Sequence, residues 1–190
     1  MKKLALGLVL VSGVAFGQVK KVVSSDVHWW GYKLAKTKAT SHDGTLDVKS
    51  GTITLKNKSV VGGEFVLDMN SINATDLQGE SQAKLNGHLK NGDFFETDKY
   101  PTAVYKITSV KKNSNNKAFP FLVNGTLTAK GKTNPVSFPA SIVLAKDGTL
   151  TLSSDKFSFD RQKFDISYGS IIQDAGIKDD IDMTVKVSAK

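Results

Sequence analysis

The feature that most constrains this chain is a period-two alternation of apolar and polar residues that starts near His28 and recurs to the last residues. Gly63, Phe65, Leu67 and Met69 alternate with Glu64, Val66, Asp68 and Asn70. The same beat returns at Ala103, Tyr105 and Ile107, at Phe119, Phe121, Val123 and Leu127, at Val136, Phe138, Ala140, Ile142 and Leu144, and at Ile181, Met183, Val185 and Val187. Successive side chains of a strand point to opposite faces, so each stretch offers one apolar face and one wet face. The stretches have strand length and are broken by Gly, Asn, Asp and Ser. The reading is therefore all-β, with about eight strands, enough to close an extended antiparallel barrel. Near the start, Trp30, Tyr32 and Leu34 are placed on the apolar face and Gly31, Lys33 and Ala35 on the other.

Two interruptions carry information. Leu46 and Val48 have one parity and Ile53 and Leu55 the other, so a turn or a bulge is required across Lys49-Ser50-Gly51-Thr52. Asp147-Gly148 is the clearest hairpin turn. Only Leu77 to Leu89 departs from the strand pattern. Ala83, Leu85 and Leu89 form a helical face there, Thr75 or Asp76 is the expected N-cap, and Asn91-Gly92 marks the stop, which predicts one short helix.

Alternation does not say which face is inside. An outer-membrane barrel turns its apolar face outward and carries aromatic girdles at its strand ends. Here the turns are short on every side, the aromatics sit within strands, and the chain closes on Ser188-Ala189-Lys190. Apolar side chains are therefore expected inside. A closed sheet of about eight strands is either packed solid or wraps one small ligand, and both outcomes need the same apolar phase.

At the N-terminus, Lys2 and Lys3 precede an apolar run from Leu4 to Val11 and small residues ending Ala15-Phe16-Gly17, the layout of a secretory signal. Residues 1–17 are expected to be removed and residues 18–190 to form one barrel domain. The run is shorter than the ~20 residues a spanning helix needs, so no membrane span is expected. The chain has no cysteine, which excludes both lipid attachment at a Cys and a disulfide framework and leaves stability to the core. The net charge of +8 falls to +6 once Lys2 and Lys3 leave. The lysines, Lys106, Lys130 and Lys186 among them, are spread over strands and turns without one stripe, which argues against nucleic acid as a partner.

Reactive chemistry is thinly represented. None of His28, His42 and His88 has a second His or a Cys at zinc-ligand spacing, so no metal is expected. There is no Cys nucleophile, no G-x-S-x-G and no phosphate loop, and no catalytic residue is assigned. Asp160, His42 and Tyr168 are loose candidates for the titratable group an enzyme would need. Arg161 is the one arginine. A guanidinium holds a carboxylate or phosphate through two parallel hydrogen bonds, so Arg161 reads either as a head-group anchor at the barrel mouth or as a structural ion pair with Asp160 or another acid.

Three stretches go beyond generic β patterning: His88-Leu89-Lys90-Asn91-Gly92-Asp93-Phe94-Phe95 running on to Lys99-Tyr100-Pro101-Thr102-Ala103, the segment from Gly125 through Ala129-Lys130-Gly131 to Pro135-Val136, and Phe157-Ser158-Phe159-Asp160-Arg161. In order and spacing they resemble the YceI-like family along nearly the whole of residues 18–190. The resemblance implies a lipocalin-like barrel closed around a long apolar cavity. It also implies an exported periplasmic protein that binds polyisoprenoid chains such as isoprenoid quinones, with no catalytic cofactor. It supplies no catalytic motif. The lumen positions follow from parity: Trp30, Tyr32, Phe65, Leu67, Tyr105, Phe121, Phe138 and Phe159, with Phe94 and Phe95 covering one end or packing the helix onto the barrel. Carriage or storage of a long-chain lipid without turnover is the first reading. The alternatives are an enzyme acting on such a lipid and a solid structural or stress-response barrel. The oligomeric state is left open, a homodimer included.

Overall fold

A computed structural model describes residues 17–34, 40–170 and 176–190; the expected signal segment, up to residue 16, lies outside the described residues, as does Ala35. The order is β1 (Gln18–Leu34), β2 (Thr40–Lys56), β3 (Ser59–Ala74), α1 (Gly79–Lys90), β4 (Thr102–Lys112), β5 (Phe121–Ala129), β6 (Lys132–Leu144), β7 (Leu150–Ser154), β8 (Phe157–Asp160), a 3-10 turn (Arg161–Phe164), β9 (Gly176–Ile177) and β10 (Asp180–Ala189). Sequential strands from β1 to β7 pair antiparallel, β7 pairs with β10, and β10 returns to β1. β7 and β8 lie along the same side of β10, at Lys186–Ala189 and Asp180–Met183, and act as one interrupted strand. β9 adds to β1 beyond the reach of β10. The result is a closed antiparallel barrel of eight strand positions, and closure removes the free edges that an open sheet would expose.

The connections sort into two ends. At the upper end lie α1 and its following loop, the Lys130-Gly131 turn and the segment after β8. At the lower end lie the turns at Asn57-Lys58, residues 113–120 and Ala145 to Thr149, together with the start of β1 and the finish of β10. In the last of those turns Gly148 has φ +83 and donates to the Ala145 carbonyl, as Asp147-Gly148 predicts.

The parity switch in β2 is a bulge. The strand runs unbroken while its register to β3 shifts between Val48 and Ser50, which leaves Leu46, Val48, Ile53 and Leu55 all facing inward. In β1 the structure corrects the sequence reading. Val27 and Trp29 are buried and Gly31 faces the interior, whereas Trp30 and Tyr32 project from the outer wall. A register shift between Val22 and Ser24 exchanges the faces, so that Lys20 and Val22 below it share the inside with Val27 and Trp29 above. Outside, Trp30 stacks on His28 at 4.4 Å and lies under the Lys156 ammonium, while the Tyr32 hydroxyl donates to Asp182 at 2.7 Å.

The helix starts at Gly79, two residues later than predicted. Its N-cap is Gln78, extended and without a side-chain cap bond. Asp76 instead accepts from His42 and from the Asp43 amide. α1 is fastened to the end of β3 by polar clamps: Gln82 donates to the Ala74 carbonyl at 2.7 Å, and Asn86 accepts from the Ala74 amide at 2.8 Å. These bonds orient Leu85 and Leu89 toward the barrel. Asn91 ends the helix, as expected.

Candidate functional site

The lower part of the interior is filled. Ile53, Val123, Ala140 and Leu150, from four different strands, are fully buried. Lys20 closes this end, with its stem inside and its ammonium near Gly148. Higher up, inward-facing Leu67, Leu127, Phe159 and Met183 are only partly buried because they border empty space. Two chambers result. The upper one, a cavity of about 100 Å³ that opens partly to solvent, lies between Trp29, Met69, Ile72, Phe94, Phe95 and Ile181. The lower one, of about 60 Å³, lies between Phe65, Leu67, Tyr105, Val136, Phe138 and Phe157. They share Leu127, Phe159 and Met183, which form a waist. The surface facing both spaces is apolar throughout. Gly31 widens the upper chamber, since a Cβ there would meet nothing within 4 Å.

Above the upper chamber lies a wider, partly polar vestibule of about 630 Å³, and the two share Trp29, Gly31, Leu89, Phe94 and Ile177. Its polar members are Lys33, His42, His88 and Tyr168; Tyr32 also borders it, but its hydroxyl is turned to Asp182 on the outer wall. His42 Nδ1 sits 2.8 Å from Asp76, and His88 Nε2 sits 3.2 Å from Asp93. The His88 ring meets Phe94 and Tyr168 edge-on at 4.9 and 4.7 Å, which stacks three aromatic groups beside the entrance. Among the described residues no group of three His, Cys, Asp or Glu is spaced to hold a metal.

Of the residues proposed from sequence, Phe65, Leu67, Tyr105 and Phe138 meet in the lower chamber, Phe94 and Phe95 in the upper, and Phe159 touches both. Trp30 and Tyr32 do not join them. Phe121 has the inward parity but sits at the lower end, outside both chambers. The sequence reading passed over Trp29 and Ile72, and placed Met69 on the apolar face without assigning it to the lumen. Trp29 had a visible signal in its adjacency to Trp30, since one of two neighbouring strand residues must face inward.

Three polar residues border the chambers, Tyr105, Arg161 and Lys178, and the side chain of each is engaged within the protein, the Lys178 ammonium by Asp180 at 3.3 Å. The Tyr105 hydroxyl donates to the Val136 carbonyl at 2.9 Å, and burial pushes its phenol well above the ordinary range. Its ring fits because residue 125 is glycine; a Cβ there would collide with it. Arg161 is 1 % exposed. Its guanidinium donates to the carbonyls of Ile166, Ile177 and Lys178 at 2.7, 3.1 and 3.2 Å. Asp179 Oδ1 lies 3.0 Å from Nη2 but off the N–H axis, an ionic contact without a hydrogen bond. Burial lowers the Arg161 pKa, opposed by Asp179 and Asp160. The ion-pair partner is thus Asp179, and the donors foreseen for a ligand head group instead hold the two sides of the upper loop together. Asp160 caps the 3-10 turn by accepting from the Gln162 amide.

A family profile, the YceI-like domain, matches residues 19–189. The chain belongs to the YceI-like domain family. Protein YceI of Escherichia coli is 32% identical over 100 residues, which cover 53% of this chain and 48% of that protein, so the match spans about half the length of this curated relative. Among solved structures, this YceI-like barrel superposes on Burkholderia cenocepacia BcnA with a TM-score of 0.65 at 16% identity, covering 87% of this chain and 96% of that one. It superposes on a polyisoprenoid binding domain from Saccharophagus degradans, implicated in plant cell wall breakdown, with a TM-score of 0.62 at 14% identity, covering 90% and 97%. At these identities the likeness is one of fold.

Proposed function

We propose that this YceI-like barrel binds one long-chain apolar lipid, a polyisoprenoid or isoprenoid quinone, in its two chambers and carries or stores it without chemical turnover. The observation that carries the reading is the pair of adjoining apolar chambers, with Leu127, Phe159 and Met183 common to both, beneath a partly polar vestibule. Removing an isoprenoid from water gains roughly 25 cal/mol per Å² of buried apolar surface, so a channel without polar demands suits a ligand without polar groups along its length. The vestibule suits the more polar end of such a molecule, with His42, His88, Lys33 and Tyr168 as donors. Turnover would require a free acid, base or nucleophile at the chain. Of the polar residues bordering the chambers, Tyr105 and Arg161 are engaged by main-chain carbonyls and the Lys178 ammonium by Asp180, and His42 and Tyr168 stand outside in the vestibule. The polyisoprenoid binding domain of the same fold supports the choice of ligand class. Export to the periplasm, with residues 1–17 as the leader, places the protein where a lipid must cross an aqueous gap. No helix among the described residues is long and apolar enough to cross a membrane.

Native mass spectrometry of the protein purified from its own host, with organic extraction of whatever it releases, tests this reading. A stoichiometric long-chain apolar molecule is the expected result. An empty protein that also refuses added isoprenoid quinones would overturn it.

A further inference from the structure

Lysines that lie scattered along the sequence are collected by the fold at one pole. The three lower-end connections and their flanks carry six: Lys56 and Lys58 between β2 and β3, Lys111, Lys112 and Lys117 between β4 and β5, and Lys146 between β6 and β7, all exposed. The same stretches hold one acid, Asp147. Its carboxyl is held below the ordinary range chiefly by hydrogen bonds from the Thr149 amide and hydroxyl, with a smaller contribution from Lys190. Among the described residues none of the six lysines is in an ion pair. At the upper end Lys99, Lys132 and Lys178 are paired, with Glu96, Asp165 and Asp180.

Exposed aliphatic surface gathers at the same pole. Val61, Val143 and Leu144, which flank the β2–β3 and β6–β7 turns, are 47%, 56% and 38% exposed. A depression of about 260 Å³ lies among these connections, walled by Val60, Val110, Phe121 and Ile142 and rimmed by Lys58, Lys111 and Lys112. Here Phe121, which alternation assigns to the lumen, has its place. A single-stranded nucleic-acid groove interleaves cations with exposed stacking aromatics, whereas the exposed carbon here is aliphatic and the one aromatic in the depression, Phe121, is half-buried in its wall. Ammonium groups beside aliphatic side chains match the boundary of an anionic bilayer, where lysines meet phosphates and short apolar chains enter the head-group layer.

We propose that the lower end of the barrel docks on a membrane surface rich in acidic phospholipid, through Lys58, Lys111 and Lys112 with Val143 and Leu144 at the contact. The α1 end and its vestibule then face away from the bilayer. The inference rests on the lower end alone and stands whatever the chambers hold.

Co-flotation of the purified protein with vesicles tests it. Mixed phosphatidylglycerol and phosphatidylcholine vesicles are expected to bind it, phosphatidylcholine alone is not, and added salt should weaken the binding. Replacing Lys58, Lys111 and Lys112 together by Gln should lower the partition coefficient about a hundredfold, each lysine near an anionic leaflet being worth roughly fivefold. A control with Lys84, Lys99 and Lys163 replaced by Gln changes net charge equally at the other pole and should lose less than about threefold. Val143→Ser with Leu144→Ser should weaken binding with every lysine in place, and thermal melts monitor the fold of each variant. Equal loss in the two lysine variants would overturn the proposal. So would indifference to phosphatidylglycerol, or a DNA duplex bound by the same lysines as tightly as the vesicles.

Discussion

The lower and upper halves of the barrel interior use the same kinds of side chain and are held in different ways. Below, Ile53, Val123, Ala140 and Leu150 leave no accessible surface, and their packing together with the Lys20 stem stops the channel. Above, Leu127, Phe159 and Met183 border open chambers, and the wall is braced by polar bonds. Arg161 clamps the loop after β8, Gln82 and Asn86 fix α1 to β3, and Asp182 joins Tyr32, Ser158 and Lys156 on the outer wall beside the interrupted strand. A barrel whose whole interior were as tightly filled would have no room for a ligand. One left open without bracing would collapse into its own cavity.

Substitutions can break this contrast. Ile53→Ala removes packing where nothing can relax and should cost about 2–5 kcal/mol in urea unfolding, the range for deleting a large buried aliphatic. A loss below about 1 kcal/mol would mean that the lower half is not the packed one. Arg161→Ala strips donors from three carbonyls and a counterion from Asp179, and should cost about 2–4 kcal/mol. Because the clamp serves the upper half, this variant should also lose ligand retention, while Ile53→Ala keeps it in whatever fraction remains folded.

A smaller effect is expected at Asp182. Burial acts to raise its carboxyl, but the bonds from Ser158, Tyr32 and Lys156 outweigh it and hold the pKa below the ordinary value. A carboxylate depressed in the folded state stabilises above its unfolded pKa, near 4, and that contribution is lost as pH falls through the folded value. Asp182→Asn should therefore cost about 1–2 kcal/mol at neutral pH and converge on the unmodified protein in acid. Melting curves at the two pH values check this, and a gap that widens in acid would contradict it. Smallest of all, Met183→Ala at the waist only enlarges an existing space and should cost about 1 kcal/mol or less, well under the usual price of truncating a buried methionine.

Much of this architecture was legible in the sequence, and the misses share a cause. In β5 and β10, and over residues 63–69, 103–107 and 136–144 of β3, β4 and β6, one phase of the alternation is apolar and the inward face could be read directly, whereas the inward phase of β3 shifts between Met69 and Ile72 and hides the latter. In β1, Trp29 and Trp30 put equal aromatic weight on both phases, and Gly31 has no side chain to break the tie. Phe121 had the right phase and the wrong height, because alternation reports the face of a sheet and not the depth along the barrel axis. Arg161 stood out as the one arginine, but its partners lie up to 18 residues away, at Asp179, and no local pattern announces them. The lysine pole was invisible for the same reason, since only closure of the barrel brings alternate turns to one end.

The claim that the upper interior holds an isoprenoid is most directly tested by fluorescence, since of the chain's two tryptophans Trp29 lines the upper chamber and Trp30 the outer wall. Titration of Trp30→Phe with an isoprenoid quinone should quench Trp29 with an end point at one quinone per protein, and Trp29→Phe, which keeps Trp30, should respond weakly. Absence of quenching in Trp30→Phe, or equal quenching in both variants, would contradict a ligand inside the barrel.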